Sequence, residues 1–191
     1  MNKTYIEDKN FKGTNFSEND LAKADYENCN FSNCNFSNSD LSFVNFIDCE
    51  FENCDLSMAK IIDAAFNNVN FKACKLMGLH FDDCNKFSLS FYFDNCFINL
   101  SSFYKLKIQK TTFINCELQE VDFTEANLSS AIFNNCDLTK AVFENTILEK
   151  ADFRTSFNYS IDPDNNKIKK AKFSINEISG LLNKYDIQID K

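Results

Sequence analysis

Glycine and proline are nearly missing from this 191-residue chain, which holds three of the former (Gly13, Gly78 and Gly180) and one of the latter. Three scattered glycines exclude the Gly-rich phosphate loops of nucleotide enzymes. A single histidine, His80, leaves no material for a His-rich metal site or an ordinary Ser/His/Asp triad. There is one arginine, and acids outnumber bases 28 to 20, for a net charge of -8. That balance lacks the basic footprint of a nucleic-acid binder, so direct nucleic-acid binding is not expected. No run of 18 apolar residues exists, and Met1–Asp8 carries acids where a secretion signal needs an apolar stretch. A cytoplasmic protein with no membrane association is expected. What the chain has in excess is phenylalanine, 22 residues, and cysteine, 9 residues.

The phenylalanines keep a period of five. Stepping from Phe11 through Phe16, Leu21, Tyr26 and Phe31 to Phe81 meets 15 positions, all large and apolar. A second register runs from Phe93 through Ile98 and Phe103 to Phe153, 13 positions on which Phe alternates with Leu or Ile. Five fits neither the 3.6 residues of an α-helix nor the 2.0 of a flat strand. It requires a chain that turns regularly and presents the same relative position inward at each turn. Two residues before most of the large positions stands a small one, Ala24, Val44, Ala59, Ala126 and Ala141 among them, and all nine cysteines keep this phase. One large and one small inward residue in five describes a narrow solenoid with a filled interior.

The units Ala24-Asp25-Tyr26-Glu27-Asn28, Cys29-Asn30-Phe31-Ser32-Asn33, Ala126-Asn127-Leu128-Ser129-Ser130 and Ala151-Asp152-Phe153-Arg154-Thr155 resemble the A(D/N)LXX signature of the pentapeptide repeat family. The resemblance implies an all-β fold, the right-handed quadrilateral β-helix, in which four pentapeptides form one square coil of 20 residues. At about 4.8 Å per coil, about eight coils make a rod roughly 40 Å long. Residues 1–173 would form this β-helix and residues 174–191 a C-terminal helix and tail. Phe93, Phe113, Phe133 and Phe153 would stack on one face and Phe103, Phe123 and Phe143 on the opposite one. Cys34, Cys54 and Cys74 would stack likewise, as would Cys96, Cys116 and Cys136. Their odd number and the absence of any CxxC pair read as small buried hydrophobes, not disulfides or metal ligands. No cofactor is expected.

The repeat breaks twice. From Phe81 to Phe93 is two residues more than two pentapeptides, so residues 82–92 hold a bulge. Lys86 falls at the inward phase there, with Phe87 or Phe91 to replace it and Tyr92 beside them. Residues 157–167 form an irregular, turn-rich segment around Pro163. Ser174-Ile175-Asn176-Glu177 then reads as a capping box, and Ile175, Ile178, Leu181, Leu182 and Tyr185 recur at helical spacing. A short C-terminal α-helix there would cover the end of the rod, and would also serve as a homodimer contact, as in related bacterial members of the family.

Charge is uneven. Between Ala24 and Ala59 there is no base, but seven acids: Asp25, Glu27, Asp40, Asp48, Glu50, Glu52 and Asp55. Such a strip on a straight rod would imitate the phosphates of a duplex to a DNA-binding protein. A pentapeptide rod of this length with a C-terminal helix resembles the quinolone-resistance group, which implies a DNA mimic acting on bacterial type II topoisomerases, DNA gyrase or topoisomerase IV. The chain departs from that group in lacking a long projecting loop. The alternative is an interaction scaffold with another partner and no gyrase activity. No catalytic residue is expected, since a filled rod offers no pocket of convergent groups.

Overall fold

The computed structural model describes residues 4–189. They form a parallel β-solenoid of about 7 turns, close to the eight that the repeat length predicts. Two of its four faces carry regular strands. Strands β2 (Asn10–Lys12), β4 (Asn30–Ser32), β6 (Glu50–Glu52), β8 (Val69–Lys72), β9 (Phe91–Asp94), β10 (Thr112–Ile114) and β11 (Ile132–Asn134) stack in that order as one sheet, face I. Strands β1 (Thr4–Glu7), β3 (Ala24–Glu27), β5 (Asn45–Ile47) and β7 (Ala65–Asn67) form a shorter sheet, face IV. The other two faces are held by single bridges. On face II these link Asn15, Asn35, Asp55, Lys75, Phe97, Glu117, Asp137 and Phe157; on face III, Asp40 with Lys60, and His80 with Ser102, Asp122 and Val142.

The five-residue period is the geometry of one face plus one corner. Each corner needs a residue with φ > 0, and here Asn or Asp supplies many: Asn28, Asn33, Asp48, Asn53, Asn95, Asn115 and Asn135 all have φ between 50° and 54°. These two residue types tolerate the left-handed region better than other non-glycine residues, so the rod turns its corners with almost no glycine.

Inside, the rings are stacked at the coil spacing. On face I, Phe93 and Phe113 lie 5.0 Å apart at 6°, and Phe133 and Phe153 4.5 Å apart at 9°. The opposite face III column meets them edge-on, Phe103 to Phe113 at 6.1 Å and 86°. Offset stacks crossed by edge contacts suit the negative face and positive edge of each ring.

The two extra residues are absorbed on face IV. The Asn85 N–H still reaches Ala64 O (2.9 Å) and the Ser90 N–H reaches Phe66 O (3.1 Å), with residues 86–89 looping out between them. Face I therefore steps by 22 residues once, pairing Phe71 with Phe93, and then returns to 20. Of the two replacements for Lys86, Phe91 is the one buried, its ring 5.8 Å from Phe66. Phe91 pairs with Val69, at a position that carries small residues in other coils. Lys86 is exposed and so leaves the ring room, while Leu89 is half-buried against the core. Phe87 is 83% exposed.

The same step merges the cysteine stacks. Cys96 Sγ donates to Phe71 O (3.4 Å) as Cys74 Sγ does to Phe51 O (3.3 Å), so Cys34, Cys54, Cys74, Cys96, Cys116 and Cys136 form one column of six. All nine thiols are free and buried. Burial pushes Cys49 up to about 11, and burial with Asp83, Asp82 and Asp63 nearby pushes Cys84 well above the ordinary thiol range.

After Phe173 the chain is helical as expected, but wound as a 3-10 helix over Ile175–Leu181, where the spacing predicts an α-helix. Ser174 caps it by accepting from the Asn176 N–H at 3.1 Å. Ile175, Ile178 and Leu181 are three apart, which matches three residues per turn as well as 3.6 over so short a run. No helix among the described residues is long and apolar enough to cross a membrane.

Candidate protein-binding surface

A filled interior leaves the outer surface as the place for function. The depressions on that surface are shallow grooves, such as one of about 370 Å³ between the last coil and the C-terminal cap. Among the described residues no three His, Cys, Asp or Glu side chains converge on a common point.

The seven acids of residues 24–59 do not lie on one line. Asp25 and Glu27 are on face IV, Glu50 and Glu52 on face I, Asp55 on face II and Asp40 on face III, with Asp48 at the corner between faces IV and I. The register spreads them around two successive coils as a collar. Several are engaged: Glu50 with Lys72 at 2.8 Å, Asp40 with Lys23 at 3.1 Å, Glu27 with the Tyr5 hydroxyl, and Asp48 with the Asn68 amide at 2.6 Å. Asp40 is held at about 2, first by hydrogen bonds from Ser42 and then by Lys23.

At the bulge, Lys86 and Phe87 are exposed, while Tyr92 is half-buried beside the buried Phe91. The Phe87 N–H is held by Asn85 Oδ1 at 3.0 Å. At the C-terminal end, Leu181 packs on the core with Ile178 and Leu182 half-buried, whereas Ile175 and Tyr185 are exposed. The cap is fixed to the rod by the Ile161 N–H to Gly180 O (2.9 Å) and by Lys184, which pairs with Asp162 (2.6 Å) and Asp164.

One surface feature escapes the sequence reading. Phe43, Met58, Ile62, Met77 and Leu100 are exposed apolar residues around faces II and III, and Phe43, Met58 and Leu100 sit at corners with φ of 57° to 64°. A corner position occupied by a bulky apolar residue, where Asn, Asp or Lys is usual in this chain, is the signal that would have found it.

On the basic side, Arg154 grips Asp152 through Nη2 (2.8 Å) and Nε (2.9 Å), with Lys172 at 3.4 Å. The Arg154 hydrogen bonds hold the Asp152 carboxyl at about 2, below the ordinary value of about 3.9. A depressed carboxylate stabilises the fold above its unfolded pKa and ceases to as pH falls through its folded one. The melting temperature is therefore expected to fall between about pH 4 and pH 2, and Arg154→Gln to shrink that fall. Thermal melts of both proteins across this range check it; equal slopes would remove the pair from the acid response.

The family comparisons agree with this geometry. A model described as "Pentapeptide repeat region" matches residues 90–173, and one described as "Pentapeptide repeats (8 copies)" matches 27–57 and 34–72. Among solved structures, QnrB1, a plasmid-mediated fluoroquinolone resistance protein, aligns at 21% identity and a TM-score of 0.53 over 96% of this chain and 100% of its own. HetL, a pentapeptide repeat protein involved in heterocyst differentiation regulation from the cyanobacterium Nostoc, aligns at 14% identity and a TM-score of 0.59, over 91% of this chain and 87% of its own. At these identities the likeness is one of fold. No curated protein sequence matches the chain.

Proposed function

The chain belongs to the pentapeptide repeat family, and from that premise we propose that it is a non-catalytic, DNA-mimicking protein that binds a bacterial type II topoisomerase, DNA gyrase or topoisomerase IV. The observation that carries this reading is the collar of carboxylates on all four faces of two successive coils. Phosphates also wind around a duplex instead of lining one side of it, and recur about every 1.7 Å along its axis. A rod with acids on every face offers an enzyme's basic DNA channel a similar target whichever way it enters. QnrB1, whose fold this chain shares, is a fluoroquinolone resistance protein, and that role supports a type II topoisomerase as the partner. Quinolone protection in the cytoplasm belongs to the same reading, and homodimerisation through the C-terminal cap (Ile175, Ile178, Leu181, Leu182 and Tyr185) is a separate proposal, supported by the exposure of Ile175 and Tyr185.

A gyrase supercoiling assay with and without ciprofloxacin tests it. Micromolar protein is expected to change supercoiling or relieve the drug, and Glu50→Lys with Glu52→Lys to abolish the effect. No change in either condition, with no binding to either gyrase subunit, would sink the reading. The second reading, a scaffold for another protein, is favoured by the bulge of residues 86–89, which is only two residues longer than the repeat requires. Pull-down of a different partner, sensitive to the same Lys substitutions, would establish it.

A further inference from the structure

The corner column between faces II and III holds Met58, Gly78 and Leu100 in three successive coils, at φ 57°, 67° and 62°. A Cβ at position 78 would collide with Met58 Sδ, so the thioether lies across the glycine. Around it is a notch of about 430 Å³ lined by Ser57, Met58, Met77, Gly78, His80 and Leu100. The chain has three methionines and one histidine. Two of the methionines and the histidine line this one notch, all three exposed: Met58 61%, Met77 37% and the His80 side chain 67%.

Exposing two methionines costs solubility, and placing one at a left-handed corner costs about 1–2 kcal/mol of backbone strain. Neither serves the interior. Thioether sulfur is a soft donor that selects Cu(I) over harder ions, and imidazole is a good companion ligand for copper. Asp82 adds an independent sign. Its Oδ1 is buried without a hydrogen-bond partner, and lies 3.7 Å from His80 Nδ1. That is too long for a hydrogen bond but within reach of a small ring movement. Donation from Nδ1–H to this carboxylate would leave Nε2 as the free lone pair, the usual arrangement behind a metal-bound imidazole.

We propose that this notch binds one soft monovalent cation, Cu(I), through Met58 Sδ, Met77 Sδ and His80 Nε2. Asp82 positions the imidazole, Gly78 gives the sulfur its room, and Leu100 walls the ion from water. The site uses none of the acids of the collar and does not depend on gyrase binding.

The test must separate thioethers from the nine buried thiols. The full chain is titrated anaerobically with Ag(I), a diamagnetic stand-in, while the methionine ε-methyl and His80 ring signals are followed by NMR. Cu(I) affinity is measured by competition against bathocuproine. The first equivalent is expected to shift the Met58, Met77 and His80 signals and leave Met1 in place. Met58→Leu with Met77→Leu, which keeps side-chain volume, is expected to lose that equivalent with an unchanged melting temperature. Asp82→Ala is expected to weaken Cu(I) by about tenfold. The proposal is overturned if no metal is taken up, if the methyl signals stay put, or if the double variant binds the first equivalent as the parent does, which would assign the metal to cysteine.

Discussion

Phe113→Ala is expected to destabilise the protein by about 3–5 kcal/mol, the range for a buried aromatic, and to fall toward its upper end. The Phe113 ring is fully buried, stacked 5.0 Å from Phe93 and 5.0 Å from Phe133, and meets Phe103 and Phe123 edge-on at 6.1 and 6.2 Å. Removing it deletes four ring contacts and leaves a hole. In a globular core, neighbours close part of such a hole, which lowers the cost. Here the wall cannot move in, because hydrogen bonds between coils fix it: on face I, β10 pairs on both sides, with β9 and with β11. The loss also falls mid-rod, where it breaks nearest-neighbour coupling between two shorter stacks, so urea unfolding is expected to lose its single-step character. Phe87→Ala, at the exposed tip of the bulge, is the control and should stay within about 0.5 kcal/mol of the parent. Urea titrations followed by circular dichroism read both. A Phe113→Ala cost below about 1 kcal/mol would mean that the interior collapses after all.

Gly180→Val is expected to lift the cap from the rod. A Cβ at position 180 would collide with the backbone oxygen and ring of Tyr159. Backbone cannot yield as a side-chain end can, so the cap must move, at about 1–3 kcal/mol. Movement would break the Ile161 N–H to Gly180 O bond and draw Lys184 from Asp162 and Asp164. Trypsin should then cut at Lys184 several times faster, with the coils before Phe153 still folded. The same variant separates the two roles of the C-terminal segment: under the proposed dimerisation, light scattering should report a fall from dimer to monomer. Unchanged proteolysis and melting would show that the contact has slack; faster proteolysis with an unchanged mass would leave the segment a cap and no more.

How much of this was legible depended on how strongly each position is constrained. The inward columns were readable residue by residue, since only a large apolar side chain fits a slot walled by backbone on four sides. The bulge was located by its two surplus residues, yet its occupant was not, because Phe87 and Phe91 are chemically the same and only register decides which turns in. The cap's 3-10 winding was hidden by Ile175, Ile178 and Leu181, whose spacing suits both helices. The acids are a different case. They are neighbours in sequence, and a square coil sends neighbours five residues apart to different faces, so Asp40 and Glu50 end on opposite sides of the rod. The Met58–Gly78 notch marks the period only faintly, by bulky apolar residues at corner positions where Asn, Asp or Lys is usual, because outward positions carry no packing constraint that would make an exception stand out.

The way face IV takes up its two surplus residues has a consequence for the rod as a material. The chain leaves the wall after Asn85 and rejoins it at Ser90, while the coils before and after keep their ladders in phase. The solenoid thus carries a built-in splice point. Since doubling a flexible loop costs only about 0.6 kcal/mol in closure entropy, a foreign segment set between Phe87 and Ser88 would be displayed at a fixed height and a fixed side of the rod. The wall behind it would serve as a ruler marked in coils.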